Sequence, residues 1–287
     1  MSVSKLHLDL DNSFFVNING SVSPVVEKCL NYIIKDEGLT ACDVNVKDIS
    51  TNGGNYMGSL QEIQLKGLSP TGQKEINLFL KNKLVVEEFN ELIDDAYNRE
   101  AFCYNELINI YNVLQEDANI PTEERFRTVK CYKESNIDVT ILENLTKKGY
   151  TTPNRLDAVS FEFASETLKQ LAKFHALSFA LRKRNPEFFE KHIKPLRSIY
   201  NLDEKWHKFI KQVFDNAVVH LDTESRNKLV EHYPKMIERF IQFVNISDDD
   251  AICLCHGDFR PNNIMKLEEM KGELCCESHR NHIYNLN

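Results

Sequence analysis

Apolar positions change their period along this chain, and the changes mark out its elements. From Val25 to Lys35 they recur at helical spacing and stop near Gly38, after a lead-in of about 22 residues without a clear pattern. Between residues 44 and 66 the pattern alternates: Val44, Val46 and Ile49 come first, then the turn Thr51 to Asn55, then Leu60 to Leu65. Asn52-Gly53-Gly54 between two extended runs predicts a hairpin. Ser69-Pro70-Thr71-Gly72 predicts another turn, and Glu75 to Leu80 a third strand. Residues 86 to 116 read as helix, with Cys103, Leu107, Ile110, Tyr111 and Leu114 on one face. Two short strands are expected at Arg127 to Tyr132 and Val139 to Leu142.

From about residue 153 to 246 the period is helical almost throughout. Phe161, Ala164, Leu168, Leu171, Ala172, His175 and Phe179 form one predicted stripe, and Glu204 to Leu221 and Glu224 to Val244 continue the pattern. Pro186, Pro195 and Pro234 punctuate this half, and Lys266 to Asn287 is polar and without period. The reading is an α+β chain of two lobes. Residues 1–145 form a strand-rich lobe with one main helix, and residues 146–287 a mostly helical lobe.

Composition narrows the classes. At 42% hydrophobic and 27% charged, the 287 residues are ordinary for a globular protein. A net charge of −8 with mixed signs leaves no basic footprint for nucleic acid or an anionic membrane. No run approaches the ~20 apolar residues of a membrane span, and Met1 to Leu10 lacks the apolar core of a signal peptide. The eight cysteines include no Cys-x-x-Cys pair and no zinc spacing with histidine. They are expected to be free thiols in a reducing compartment, the cytosol, with the sequons at Asn19, Asn144 and Asn245 unused. No obligate protein partner is evident.

The chemistry concentrates in Cys255-His256-Gly257-Asp258-Phe259-Arg260-Pro261-Asn262-Asn263-Ile264-Met265. A short apolar run enters this polar loop and an apolar pair leaves it. Asp258 is placed to orient or deprotonate a hydroxyl, and Asn263 to offer an amide oxygen to a hard cation. His256 would anchor the loop by hydrogen bonds and Pro261 would fix its bend. The glycines of Gly53 to Ser59 would let backbone N–H groups approach phosphate oxygens, with the Ser59 hydroxyl as a further donor. Lys81 ends the third strand and Glu100 lies on the following helix, as a phosphate-binding lysine and its carboxylate would; Lys83 and Glu106 are their rivals. Val139 to Leu145 reads as a hinge whose backbone could bond an adenine edge. His175 is expected to be structural and Asp248-Asp249-Asp250 a solvated turn. No Gly-x-Ser-x-Gly elbow supports a serine nucleophile.

In this order the pieces resemble the protein-kinase-like fold. The 115-residue gap from Glu143 to Asp258, mostly helix, is similar to the helical insertion of aminoglycoside phosphotransferases and choline kinases. The wording more closely resembles the ecdysteroid kinase-like family, also called CHK kinase-like. It does so at Gly54-Asn55-Tyr56, Leu78 to Lys81, Leu142 to Leu145 with Lys148-Gly149-Tyr150, Leu171 to Ala176, and Cys255 to Met265. The resemblance spans roughly residues 25 to 266. It implies ATP and magnesium, and transfer of the γ-phosphoryl to a hydroxyl of a small molecule, an ecdysteroid or a hydroxylated xenobiotic. It makes Asp258 the catalytic aspartate, Asn263 a magnesium ligand, Lys81 the α/β-phosphate lysine and Glu100 its partner. Asn55 and Ser59 would lie at the phosphates, Glu143 and Leu145 at the adenine. Members of the family continue into a strand ending in Asp-Phe, whose aspartate is the principal magnesium ligand. Here no aspartate follows Asp258, and Glu269, Glu273 and Glu277 are the candidate substitutes. The expectation is a shortened product with an incomplete C-lobe, exposed apolar faces over residues 160–244 and weak or absent turnover. A non-catalytic pseudokinase or binding module, and an aminoglycoside- or choline-kinase-type enzyme, are the alternatives.

Overall fold

A computed structural model describes residues 16–50, 58–84, 90–154, 156–196, 203–244, 252–267 and 283–285. The chain divides into two compact units, one of Met1–Leu177 with Cys255–Asn287 and one of Ser178–Leu254.

In the first unit, strand β1 (Val16–Asn19) lies parallel to β2 (Thr40–Ile49), so part of the expected lead-in is ordered. Helix α1 (Pro24–Asp36) joins them. Its start is set by Ser23, whose side chain accepts from the Val26 N–H, and by Pro24, whose missing N–H costs nothing in the first turn. The sheet continues antiparallel through β3 (Gly58–Ser69), β4 (Gly72–Lys83) and β5 (Val139–Glu143), in the order β1-β2-β3-β4-β5. Period-two alternation separates two faces. Cys42, Val44, Ile63, Leu65, Ile76, Leu78, Leu80, Val139 and Ile141 pack under Val26, Cys29, Leu30, Ile33 and Ile34 of α1. Each fully buried aliphatic side chain there contributes about 1.5–3 kcal/mol. Phe79 and Lys81 point to the opposite face.

Between β4 and β5, α2 (Asn90–Phe102) passes through a π turn (Cys103–Leu107) into α3 (Ile108–Asp117), within the helix expected at 86–116. Residues 127–132 do not form the regular strand expected there. They meet β5 through one bridge, Cys131 to Leu142. The buried Ser135 hydroxyl takes the Ile141 N–H at 2.8 Å, a bond that a partner strand would otherwise receive. After β5 come a 3₁₀ turn (Leu145–Lys148) and β6 (Tyr150–Thr151), which pairs with β7 (Ile264–Leu267). The other edge of β7 pairs with β8 (Ile283–Asn285), so the tail is not wholly irregular.

Helix α4 (Phe161–Arg184) buries Phe163, Thr167, Phe174, Leu177 and Leu181, while Phe161, Leu168 and Phe179 are exposed. The expected stripe is therefore on the wrong side. Apolar residues occur on both sides of this helix, and the choice is made by Tyr111 and Phe126, each 5.6 Å from the Phe174 ring. In the second unit, α5 (Pro186–Phe188) opens with Pro186, and α6 (Glu204–Val218) ends where the Arg226 guanidinium donates to the carbonyls of Val218, Val219 and Leu221. Helix α7 (Thr223–Val244) runs through Pro234 without breaking. Trp206 stacks on Phe240 at 5.4 Å, and Phe209, Val213, Val230 and Met236 are exposed. The six described cysteines carry free thiols, and burial pushes Cys42 up to about 11. Among the described residues no helix is long and apolar enough to cross a membrane.

Candidate active site

Two parts of the first unit carry the expected residues, and the strand register explains the first. Lys81 of β4 pairs with Leu60 and Thr140, and its side chain leaves the sheet on the face away from α1. Its Nζ meets Glu100 Oε2 of α2 at 2.6 Å, with the two side chains 19% and 9% exposed. An ion pair this sheltered holds both groups in one geometry, because loss of either partner would strand a buried charge. The rival Lys83 is engaged differently. It lies 3.1 Å from both Asp94 and Asp138, whose carboxylates hold its ammonium above the usual lysine range, Asp138 first. Glu106 is exposed on the π turn.

Gly58 opens β3 opposite Lys83, and Ser59 is exposed opposite Asn82. Gly53, Gly54 and Asn55, at the heart of the expected phosphate turn, lie outside the described residues, as do Asp248 to Asp250 and Glu269, Glu273 and Glu277.

At the expected hinge, the Glu143 N–H donates to the Lys130 carbonyl and the Asn144 N–H to the Asn77 carbonyl, both at 2.9 Å. The Glu143 carboxylate is turned to Lys148 at 2.6 Å, and Leu145 is buried. Asn144 is 2% exposed. Its side-chain oxygen caps the 3₁₀ turn, accepting from the Thr146 N–H at 3.1 Å and the Thr146 hydroxyl at 2.6 Å. The sequon Asn144-Leu145-Thr146 is thus a capping motif. Leu142 and Leu145 share an apolar cluster with Tyr104, Val129, Tyr150 and Met265, against which Phe79 and Leu267 pack. That cluster joins the lysine-bearing face of the sheet to the strand after the Asp258 loop.

The loop itself is closed on its own hydrogen bonds. Gly257 has φ +86°, a conformation that favours glycine. The Asp258 N–H donates to His256 Nδ1 at 3.1 Å, so His256 acts as an anchor through an accepting Nδ1. Pro261 starts a 3₁₀ turn (Pro261–Asn263) that returns Asn263 to Asp258. Asn263 Nδ2 donates to the Asp258 carbonyl at 2.9 Å and to Asp258 Oδ2 at 2.8 Å. Both partners are acceptors, which fixes the amide orientation: Nδ2 faces Asp258 and Oδ1 faces away. Arg260 Nε donates to the same Asp258 oxygen at 3.1 Å. Two donors on Oδ2 orient the carboxylate and leave Oδ1 for another group. A hard cation fits this donor set through the outward amide oxygen of Asn263.

Lys81 with Glu100, and Asp258 with Asn263, are the expected pairs that the structure brings into contact. Pattern reading passed over Tyr97, 1% exposed with the Lys81 ammonium 5.4 Å from its ring centre, and Arg260. The three-residue step from Tyr97 to Glu100 on one helix was the available signal for the first. His175 is partly buried beside Phe174, their rings 6.1 Å apart.

Comparison with protein-family models matches residues 52–275, well over half of the chain, to the ecdysteroid kinase-like family. No curated protein and no solved structure matches the chain.

Proposed function

The chain belongs to the ecdysteroid kinase-like family, and from that premise we propose that it moves the γ-phosphoryl of ATP to a hydroxyl of a small molecule, an ecdysteroid or a hydroxylated xenobiotic. The observation that carries this reading is the Asp258 loop. One carboxylate oxygen is held by Asn263 Nδ2 at 2.8 Å and Arg260 Nε at 3.1 Å while the other is left for an acceptor. The sheltered Lys81–Glu100 pair supports it from the other side of the reaction.

In this reading residues 1–145 hold nucleotide and residues 146–287 supply the acceptor side, in the cytoplasm. Lys81 binds the α/β-phosphate oxygens, with Glu100 fixing its ammonium. Asn55 and Ser59 contact the phosphates at the glycine turn, and backbone groups of Glu143 and Leu145 receive the adenine edge. Asp258 Oδ1 accepts a hydrogen bond from the acceptor hydroxyl and takes its proton as the oxygen attacks the γ-phosphorus; the bond to the bridging oxygen breaks and ADP leaves. Asn263 would hold magnesium through Oδ1, and the ion would supply neutralising charge for the phosphoryl oxygens. An alternative is a pseudokinase that holds nucleotide without transfer.

The test is magnesium-dependent ATP consumption with a panel of hydroxylated steroids, aminoglycosides and choline. Asp258→Ala is expected to lower turnover by about 10²–10⁴-fold. Turnover unchanged in both Asp258→Ala and Asn263→Ala would sink the mechanism. ATP binding without magnesium dependence or turnover would select the pseudokinase, and the preferred acceptor separates steroid from aminoglycoside or choline chemistry.

A further inference from the structure

Helix α2 carries Asp94, Tyr97 and Glu100 at intervals of three, which sets them in one row along one face. The acids at the two ends of the row each hold a lysine of β4: Asp94 meets Lys83 at 3.1 Å and Glu100 meets Lys81 at 2.6 Å. Tyr97 stands between them. Lys81 Nζ lies 5.4 Å from the centre of its ring, within the range of a cation–π contact. Its hydroxyl oxygen is buried with no hydrogen-bond partner among the described residues and lies against Gly58, where a Cβ would come within 2.4 Å of it. Tyr97 therefore touches both the strand that carries the lysine and the end of the glycine turn.

We propose that Tyr97 is a positioning residue for Lys81, a role that rests on the reading of Lys81 as the phosphate-binding lysine. A lysine side chain has four rotatable bonds, and one carboxylate fixes the end of the chain but not its approach. The Tyr97 ring supplies a second surface, electron-rich on its face, that holds the ammonium beside Glu100 before nucleotide arrives. Among the described residues the hydroxyl makes no hydrogen bond, and it is the ring that faces the ammonium. Its oxygen acts as a spacer that sets how closely α2 approaches Gly58. Without the ring the ammonium keeps Glu100 but samples more positions, so phosphate binding weakens while the chemistry at Asp258 is untouched.

The experiment compares Tyr97→Leu and Tyr97→Phe in the full chain, with circular dichroism to establish that each is folded. Tyr97→Leu is expected to raise the KM for ATP about five-fold with kcat within about two-fold, and Tyr97→Phe to restore the wild-type KM. A second readout needs no activity: acylation of Lys81 by an amine-directed reagent, followed by peptide mass spectrometry. Without the ring the Lys81 amine is less shielded and samples more positions, so in Tyr97→Leu it is expected to be labelled about five-fold faster than in wild type. Equal labelling in folded wild type and Tyr97→Leu overturns the proposal. So does a Tyr97→Phe variant as impaired as Tyr97→Leu. If the wild type neither binds nor turns over ATP, the functional reading fails, whereas the labelling rates still decide the role of Tyr97.

Discussion

Gly58 is where backbone space rather than backbone conformation demands a glycine. A methyl group there would stand 2.4 Å from the Tyr97 hydroxyl and 2.6 Å from the Asn82 carbonyl oxygen. The second of these belongs to the backbone of a paired strand and cannot swing aside. Gly58→Ala is therefore expected to cost about 1–3 kcal/mol of stability as an overpacked site. Ser59→Ala, one residue on and exposed, should stay within about 0.5 kcal/mol. Urea unfolding of the two variants checks this, and equal losses would mean that the strand end relaxes freely. Single side chains also decide the Asp258 loop. The hydrogen bonds of Asn263 to two acceptors leave it no choice of orientation, so the loop holds its shape before any ligand is bound.

Elements are tied together by a few charges whose contribution depends on pH. Glu37, just past the end of α1, accepts from Lys74 of β4 at 2.7 Å and lies 3.7 Å from Lys130. The hydrogen bond from Lys74 is the main reason its carboxyl titrates below its ordinary value of 4.5. A carboxylate with a lowered folded value contributes stability that is complete above the ordinary value and is lost as pH falls through the lowered one. Stability measured from about pH 6 down to about pH 3 should therefore fall less steeply in Glu37→Gln than in wild type. Parallel slopes would show that the pair contributes nothing. At this scale the strands around Lys81 and the helix at α1 were legible in sequence, because each has one apolar face and clear turn residues. The burial of α4 was not. Its apolar residues fit two stripes, and the aromatic rings of Tyr111 and Phe126, distant in sequence, choose between them. Residues 127–132 differ from expectation for a similar reason: the Ser135 hydroxyl takes the Ile141 N–H that a partner strand would receive, and no local pattern announces that. In the site, the pairs Lys81–Glu100 and Asp258–Asn263 were legible from spacing. Tyr97 was hidden because an aromatic on a helix reads first as core.

For the molecule as a whole, Lys81, Glu100, Asp258 and Asn263 all lie in the unit that contains the sheet. A ligand that binds only the folded state stabilises it by mass action, by about 2.7 kcal/mol at a hundred times its Kd. ATP with magnesium is accordingly expected to raise the thermal midpoint of the wild-type chain and to leave Lys81→Ala unmoved. A shift of equal size in both would place the nucleotide elsewhere. The unit Ser178–Leu254 has a different surface. It exposes Phe209, Val213, Val230 and Met236 along its helices.

The buried cap at Asn144 has a practical consequence for anyone producing this protein. The side chain that a sugar would occupy is 2% exposed, and its amide nitrogen lies inside the fold. Glycan transfer in the secretory pathway acts on Asn144-Leu145-Thr146 while the chain is still open. A molecule that receives the sugar can no longer close the turn, and a molecule that closes the turn can no longer receive it. Exported through that pathway, the chain would sort itself into molecules bare at Asn144 that fold and molecules decorated there that do not.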